Sequence, residues 1–304
     1  MRLLTLGIGI RGAKIAEMLA KKGTKVNKVS LFKSYVVLND PDALKKISLP
    51  EEKKMFVLKD VSGVVNRLAN IQEITEGNLI IFSLEDEFGY STALEICEKV
   101  KEISDEHVIT LVLVPALDDL SLNELKKKVR DIRIRSEVTF LFKGDQKTDE
   151  FILKTFNLLA LAGEIDLKKK IAGEVVIDTS DVFNALRSDG FSVIGYAEKR
   201  IPFLNSLKTS AEMKAVRTKR MIELVDEAMN NLSIEGDIKD SSSALILYSA
   251  NPQEITMEGL FAAISKIESL NEKIVLRYGD YPVPGSRKAS LVLLFSGVRK
   301  LRIS

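Results

Sequence analysis

The chain has 304 residues, a length that predicts one large or two medium domains with enough apolar residues for a core. Charged residues make up 29% of the chain and tryptophan is absent, as is typical of proteins from hot environments. The 45 Lys and Arg nearly balance the 43 Asp and Glu, and the resulting net charge of +2 argues against binding a polyanion such as nucleic acid. One cysteine and one histidine exclude an intramolecular disulfide and a Cys/His zinc site, and no apolar run reaches the roughly 20 residues of a membrane span, so we expect a cytoplasmic protein without membrane insertion.

Strand-like and helical patterns alternate along the first half of the chain. The predicted strands are residues 3–6, 29–38, 79–82, 108–114 and 138–142, and the predicted helices are residues 13–22, a helix starting near Ala43, 92–103 and 122–130. This alternation predicts an α/β fold with a Rossmann-like parallel sheet, covered by helices on both faces, over residues 1–148.

From Asp149 the pattern changes to a long helix that is apolar nearly all round, which predicts a buried central helix with a linker over residues 149–170. Residues 171–304 are predicted to form a C-terminal mixed α/β domain. Its predicted strands are residues 191–196, 244–248, 273–277 and 289–295. Its predicted helices are a helix that includes residues 182–186 and the helices 212–230 and 257–267, and its predicted loops are residues 199–210 and 237–243.

Three glycines, Gly7, Gly9 and Gly12, form a GxGxxG pattern on a strand-to-helix turn, where the backbone can approach phosphate oxygens. A dinucleotide site would also need an acidic residue about 20 positions further on, and residues 18–39 contain none. That absence argues against an NAD enzyme and less strongly against an NADP enzyme, since Lys28 or Lys33 could meet the extra phosphate. The glycines are also compatible with a tight turn beneath a packed helix and no ligand.

Asp178 and Asp181 lie three residues apart at a predicted helix start. Two carboxylates at this spacing can polarise a water molecule or hold a cation. The alternative is structural, with Asp181 or Ser180 as the helix N-cap and Asp178 as a turn residue.

Three consecutive acids, Glu85, Asp86 and Glu87, follow the predicted strand 79–82, at the edge of the sheet where α/β folds bind nucleotide phosphates. They would repel a triphosphate unless a divalent cation intervenes. The alternative is a solvated helix start.

The order of these motifs resembles the tubulin/FtsZ superfamily over nearly the whole chain. Residues 6–14 resemble its first glycine-rich nucleotide loop, and residues 38–44 are similar to its second loop. Asp149 takes the place of the residue that reads the guanine base. Residues 176–182 resemble the catalytic loop Asn-x-Asp-x-x-Asp-Val, with valine in place of the asparagine.

The resemblance implies a cytoskeletal protein of cell division or cell shape that binds GTP or GDP with Mg2+ and self-associates head to tail. The catalytic loop of one subunit, with Asp178 and Asp181, would complete the nucleotide pocket of the next. The implied nucleotide contacts are Gly7, Gly9, Ile10, Arg11, Gly12, Lys14, Asn39, Asp40, Gly89, Tyr90, Ser91 and Asp149, and no set of protein side chains is assigned to hold a metal by itself.

The sequence departs from the family at three places. The glycine-rich loop Gly-Gly-Gly-Thr-Gly-Thr-Gly falls on residues 85–91, where only Gly89 remains, and the third loop, residues 60–66, keeps only Gly63. Few residues follow the last predicted strand, so we do not expect a membrane adaptor to be recruited through a C-terminal tail. A divergent relative is therefore expected, either a GTPase completed across a subunit interface or a non-hydrolysing scaffold or regulator that has lost triphosphate binding.

Overall fold

The structure is a computed structural model that describes residues 1–71, 74–115, 122–145, 147–164, 173, 175–202 and 209–301. The chain divides into two compact units, built on Met1–Leu153 and Lys154–Arg302. Most of the linker predicted after the central helix lies outside the described residues.

Unit 1 is a parallel sheet with helices. Its strands are β1 (Leu3–Ile8), β2 (Lys25–Val26), β3 (Val29–Ser30), β4 (Phe32–Leu38), β5 (Lys54–Phe56), β6 (Gly77–Ser83), β7 (His107–Val114) and β8 (Val138–Lys143); its helices are α1 (Gly9–Lys22), α2 (Pro41–Lys46), α3 (Ser62–Ala69), α4 (Glu87–Ile103), α5 (Leu122–Arg135) and α6 (Lys147–Leu159), the last of which runs on into unit 2. In the described part of unit 1 the main sheet has the order β8-β7-β6-β1-β4-β5 and its neighbouring strands run parallel, while β2 and β3 form a separate hairpin. The predicted Rossmann-like sheet is confirmed.

The central strands of this sheet are continuous apolar runs because both of their faces are covered. All of β1 and all of β6 are buried, and β7 is buried from Val108 onward. The carboxyl ends of these parallel strands lie at one edge of the sheet, and this edge carries the loops that the sequence marks as functional.

Unit 2 is a mixed sheet with helices, as predicted. Its elements are α7 (Thr179–Leu186), β9 (Phe191–Arg200), α8 (Ser210–Asn230), β10 (Ser243–Ala250), α9 (Met257–Glu268), β11 (Val275–Pro282) and β12 (Lys288–Val298). β10 pairs in parallel with β11 and antiparallel with β12, and β12 also pairs antiparallel with β9. α8 begins at a capping box between Thr209 and Glu212 and packs against β9 and α9.

Among the element boundaries that differ from the sequence prediction, two have a clear physical cause. The loop predicted from residue 199 is wrong at its start, because β9 continues to Arg200 and the Lys199 ammonium is held by Glu223 at 2.6 Å and Glu227 at 2.8 Å on α8. The helix predicted to start at Asp149 starts at Lys147, since Asp145 accepts a hydrogen bond from the Thr148 amide at 2.9 Å. The predicted third loop is also largely helical, because α3 begins at Ser62. Among the described residues no helix is long and apolar enough to cross a membrane.

Cys97 lies on α4 and is 1% exposed, and burial raises the pKa of its thiol to about 12. The thiolate is the reactive form, and a buried thiol with a raised pKa is rarely ionised near pH 8. We expect native protein to leave DTNB unreacted over an hour and guanidinium-unfolded protein to react at one thiol per chain. Full reaction before unfolding would show instead that α4 opens readily from the sheet.

Candidate nucleotide site

The predicted nucleotide contacts in unit 1 lie at the carboxyl edge of its sheet. Gly9 directly follows β1, Asp40 follows β4, Asp86 follows β6, and Asp149 lies in the first turn of the helix after β8. In an open parallel sheet a crevice forms where the connections lead off in opposite directions, which here is between β1 and β6. We call this place the β1–β6 crevice.

Gly7, Gly9 and Gly12 serve two different purposes. Gly9 has φ +71°, and a Cβ built on it would lie 1.9 Å from Oδ2 of Asp86. A Cβ on Gly12 would lie 2.2 Å from the carbonyl oxygen of Ile81, and one on Gly7 would lie 2.3 Å from the carbonyl oxygen of Gly12. Gly7 and Gly12 therefore allow α1 to pack closely against β1 and β6, while Gly9 makes the turn beside the crevice.

Asp86 is the N-cap of α4, and its Oδ1 accepts a hydrogen bond from the Gly89 amide at 3.0 Å. Its other carboxylate oxygen faces Gly9, as the distance to a Cβ there shows. A carboxylate of the chain itself thus takes the position at a helix amino terminus where an anion such as phosphate would bind. Asp86 is therefore turned toward Gly9 at the crevice, while Glu87 pairs with Lys128.

The neighbours of Asp86 contact α5. Lys128 Nζ lies 2.8 Å from Oε2 of the exposed Glu87, donates to the carbonyl oxygen of Leu84 at 3.3 Å, and sits 4.7 Å from the centre of the Tyr90 ring. The Tyr90 hydroxyl donates to Oδ2 of Asp131 at 3.2 Å, and burial, with the charge of Asp131, raises its pKa to about 12.

Gly89, Tyr90 and Ser91, all predicted to contact nucleotide, lie in the first turns of α4. The Ser91 hydroxyl donates to the carbonyl oxygen of Glu87 at 2.7 Å, within the helix, and the side chain of Tyr90 is committed to α5. Gly89 packs against Asp86 and β1: a Cβ built on it would lie 3.1 Å from Oδ2 of Asp86 and 3.3 Å from the carbonyl oxygen of Ile8. Of these three residues, Gly89 is the one that lies beside the crevice.

The amino terminus of α1 has no capping side chain, because its N-cap residue is Ile8 and its first turn contains no acid. The side chain of Ile10 is 50% exposed, and Lys14 is exposed one turn further along. The first backbone N–H groups of a helix have no partner within the helix and favour an anion. At the β1–β6 crevice, the amino terminus of α1 is therefore not capped by a side chain, although the Asp86 carboxylate lies beside its first residue, Gly9, whereas the amino terminus of α4 is capped by Asp86.

Arg11 and Asp149 form a bidentate ion pair. The two terminal guanidinium nitrogens of Arg11 donate to the two carboxylate oxygens of Asp149 at 3.0 and 2.7 Å, and one of them also donates to the carbonyl oxygen of Asp145 at 3.2 Å. Their side chains are 24% and 29% exposed. The carboxylate predicted to read the base is therefore held by a residue of the glycine turn.

The second predicted loop meets the same edge of the sheet from β4. Asp40 caps α2 through hydrogen bonds from the amides of Asp42 at 2.8 Å and Ala43 at 3.2 Å, with Pro41 as the first helical residue. Asn39 and Asp40 are both exposed. The cap accounts for the conformation of this loop and leaves the Asn39 side chain at the surface beside β1.

Asp178 and Asp181 form a capping box at the start of α7 in unit 2. Oδ1 of Asp178 accepts from the Ser180 hydroxyl at 2.6 Å and from the Asp181 amide at 2.9 Å, and these hydrogen bonds, that of Ser180 foremost, lower its pKa. The predicted N-cap is thus wrong: Asp178 is the cap and Asp181 occupies the third helical position. Oδ2 of Asp181 accepts from the Asp178 amide at 3.2 Å, and Arg277 lies 3.7 Å from its Oδ1.

Sequence reasoning did not single out Lys128 or Asp145. Lys128 reaches Leu84 and Glu87 from 41 positions or more along the chain, and no local pattern marks such a contact. Asp145 could have been recognised, because an aspartate just before a helical pattern is a common helix-start residue. A cavity of about 320 Å³, lined by Leu4, Leu68, Asn78, Val100 and Ile103 among others, lies at the opposite edge of the sheet and contains none of the predicted site residues.

A parallel-sheet unit with a glycine turn at the β1–β6 crevice, followed by a mixed unit with two carboxylates at a helix start, is the architecture of the tubulin/FtsZ superfamily. The family model described as the C-terminal domain of tubulin-like CetZ matches residues 141–304. The chain belongs to this tubulin-like CetZ family.

Three known proteins illustrate the relationship. CetZ1 of Haloferax volcanii is 22% identical to this chain over 98% of this chain and 88% of its own length. The structure of CetZ1, described as a GDP-bound monomer, superposes with a TM-score of 0.83 over 98% of this chain and 94% of that chain. CetZ2 of the same organism, described as a GTPγS-bound protofilament, gives a TM-score of 0.80 at 18% identity over 100% and 95% of the two chains. An FtsZ dimer from M. jannaschii gives 0.72 at 15% identity over 100% and 93%, and at these identities the likeness concerns the fold.

Proposed function

We propose that this chain is a cytoskeletal protein of cell shape or cell division that binds a guanine nucleotide at the β1–β6 crevice and assembles head to tail. The observation that carries the proposal is the uncapped amino terminus of α1, beside Gly9 and linked by Arg11 to Asp149. The phosphates would bind at the turn and the base at Asp149. The nucleotides named for the CetZ1 and CetZ2 structures support this choice of ligand.

The residues at the crevice fit a magnesium nucleotide better than a bare one. Gly9 and Gly89 leave the backbone open, but the Asp86 carboxylate between them would repel phosphate. Mg2+ is commonly held by one or two carboxylates together with phosphate oxygens. In the part of the chain that the structure describes, no three acidic, His or Cys side chains form a metal site by themselves, so Asp86 would share the ion with the nucleotide.

Hydrolysis, where it occurs, would use two copies of the chain. Asp178 and Asp181 belong to unit 2 and would serve the crevice of unit 1 in the next copy, where Asp181 would orient the attacking water. Asp178 is committed to the cap of α7 and would act as a positioning residue. The CetZ2 structure is described as a protofilament, and this description supports the proposed head-to-tail assembly of this chain.

Two measurements on purified protein test the proposal. Isothermal calorimetry with GDP, GTP and ATP, each with and without Mg2+, should show binding of the guanine nucleotides, strongest with Mg2+, and at least tenfold weaker binding of ATP. Sedimentation with GTP and Mg2+ should pellet protein above a critical concentration. The proposal is wrong if no nucleotide binds and no assembly appears at the highest soluble concentration.

Replacing Asp181 with alanine is expected to lower GTP turnover by about 100-fold, the usual size of a positioned acid–base contribution, because the neighbouring pocket loses its water-orienting carboxylate. GDP affinity should stay within twofold, since Asp181 does not serve the pocket of its own chain. The matched control is Glu272→Ala, an exposed acid of unit 2, which should leave turnover unchanged. Equal turnover in wild type and Asp181→Ala would contradict the assigned role.

A second function is a non-hydrolysing scaffold or regulator that keeps the fold and self-association. The observation that favours it is Asp86, whose carboxylate fills the anion position at the amino terminus of α4. Such a scaffold would assemble in the absence of nucleotide and give no heat with GTP, GDP or ATP. Assembly that depends on GTP would exclude it.

A further inference from the structure

Arg11 and Asp149 approach one another from opposite sides of the predicted nucleotide site. Arg11 lies in the first turn of α1, after β1, and Asp149 in the first turn of α6, after β8. In the sheet order β8-β7-β6-β1 these strands are three positions apart, which at roughly 4.8 Å per strand is about 14 Å. The ion pair therefore links the two sides of the carboxyl edge, with the ends of β6 and β7 between them.

The contacts of Arg11 give this link a defined geometry. Its guanidinium holds both carboxylate oxygens of Asp149 and also the carbonyl oxygen of Asp145, in the loop before α6. A planar guanidinium binds phosphate with the same two-pronged geometry as it binds carboxylate. Arg11 can thus exchange Asp149 for a phosphate at the nearby α1 amino terminus without losing charge-assisted hydrogen bonds.

The charges around the crevice make that exchange favourable when phosphate arrives. Asp86 faces Gly9 and Glu87 lies one residue further on, while Lys128 is already shared between Glu87 and the carbonyl oxygen of Leu84. A phosphate at the α1 amino terminus would therefore need a cation close by. Arg11, two residues beyond Gly9, is placed to supply it.

We propose that Arg11 is a strap that is exchanged on nucleotide binding: its guanidinium holds Asp149 as described above, and a bound nucleotide draws that guanidinium to phosphate and leaves the Asp149 carboxylate to the base. This inference rests on the proposed function and adds how base and phosphate recognition are coupled. A ligand with a base but no phosphate must break the Arg11–Asp149 pair without compensation. A ligand with phosphates replaces that pair with another.

Calorimetry with guanosine and with GDP, on the full chain, separates the two effects. Arg11→Gln should bind guanosine about fivefold more tightly than wild type, because Arg11 no longer competes with the guanine base for the Asp149 carboxylate. A fivefold change corresponds to the about 1 kcal/mol expected of a partly exposed ion pair. The same variant should bind GDP about tenfold more weakly, because the phosphate has lost its cation. The opposite signs for the two ligands are the signature of the strap.

Arg11→Lys provides a conservative comparison, since lysine keeps the charge but not the two-pronged grip. It should keep GDP affinity within about threefold of wild type and still bind guanosine more tightly. The matched control is Arg130→Gln, which removes an exposed arginine from α5. This control should change neither affinity by more than twofold.

The remaining outcomes overturn the strap in distinguishable ways. If Arg11→Gln weakens guanosine and GDP binding equally, Arg11 merely supports the site. If it leaves both affinities unchanged, or if GDP binds while neither wild type nor variant binds guanosine at millimolar concentration, Asp149 is not released by the exchange. If no variant and no wild-type protein binds either ligand, the proposed nucleotide binding itself has failed.

Discussion

Gly12→Ala should destabilise unit 1 by about 3 kcal/mol, which is the free-energy cost typical of adding atoms to an already packed core. The same variant should abolish nucleotide binding. The added Cβ would lie 2.2 Å from the carbonyl oxygen of Ile81 and 3.3 Å from the Cα of Phe82, and both are backbone atoms of a central strand that cannot rotate away. α1 would have to move off β6, and the turn at Gly9 would move with it. Chemical denaturation and GDP calorimetry measure the two effects.

Gly63→Ala is the matched control, because a Cβ on Gly63 meets nothing within 4 Å and the residue lies in α3. Alanine favours a helix over glycine by up to about 1 kcal/mol, so this variant should be as stable as wild type or slightly more stable. Equal stability of Gly12→Ala and Gly63→Ala would show that the close approach of α1 to β6 does not support the site.

Asp86→Asn should strengthen GDP binding in the absence of Mg2+ by tenfold or more, because the like charge of a carboxylate within about 4 Å of a phosphate costs on the order of 1–4 kcal/mol. Asparagine caps a helix about as well as aspartate, so the hydrogen bond from Gly89 and the stability of α4 should be retained. Calorimetry of wild type and variant, with and without Mg2+, measures the change.

The response to Mg2+ separates the two proposed functions. If the higher GDP affinity of Asp86→Asn disappears or reverses when Mg2+ is added, Asp86 helps to hold the ion of a magnesium nucleotide. Binding that appears only in Asp86→Asn, with or without Mg2+, means that the native carboxylate blocks the site, as in the scaffold. The control Glu85→Gln removes an exposed charge from the same loop. Without Mg2+ it should raise GDP affinity by less than a third of the increase seen in Asp86→Asn. An unchanged GDP affinity in Asp86→Asn without Mg2+ would refute the part assigned to its charge.

Much of the fold could be predicted because its signals are local. The apolar runs that became β1, β6, β7 and β8 are buried on both faces, and this burial requires an unbroken apolar sequence. A proline after an aspartate is typical of a helix start, and α2 begins at Pro41, close to the start predicted near Ala43. The extension of β9 to Arg200 was missed because its charged residues are stabilised by ion pairs to α8, about 24 positions or more away.

The candidate site was only partly predictable. The residue types and their places along the chain indicated Gly9, Asp86, Asp178 and Asp181, since turns, caps and acidic helix starts have short-range patterns. Asp149 was indicated only by the resemblance to the tubulin/FtsZ superfamily. What each side chain contacts was not predictable. The capping box shows the limit, because four residues around Asp178 offered several possible caps and the hydrogen bonds select one.

The sequence by itself determined the alternation of strands and helices, the glycine turn and the acidic loop after β6, because these depend on neighbours within a few residues. Only the tertiary structure decided that Gly12 lets α1 pack closely against β6, that the Asp86 carboxylate faces Gly9, and that Arg11 holds Asp149. The physical reason is distance along the chain. Asp149 lies 138 residues from Arg11, and two charges so far apart in sequence are brought within 2.7 Å only by the order of strands in the sheet.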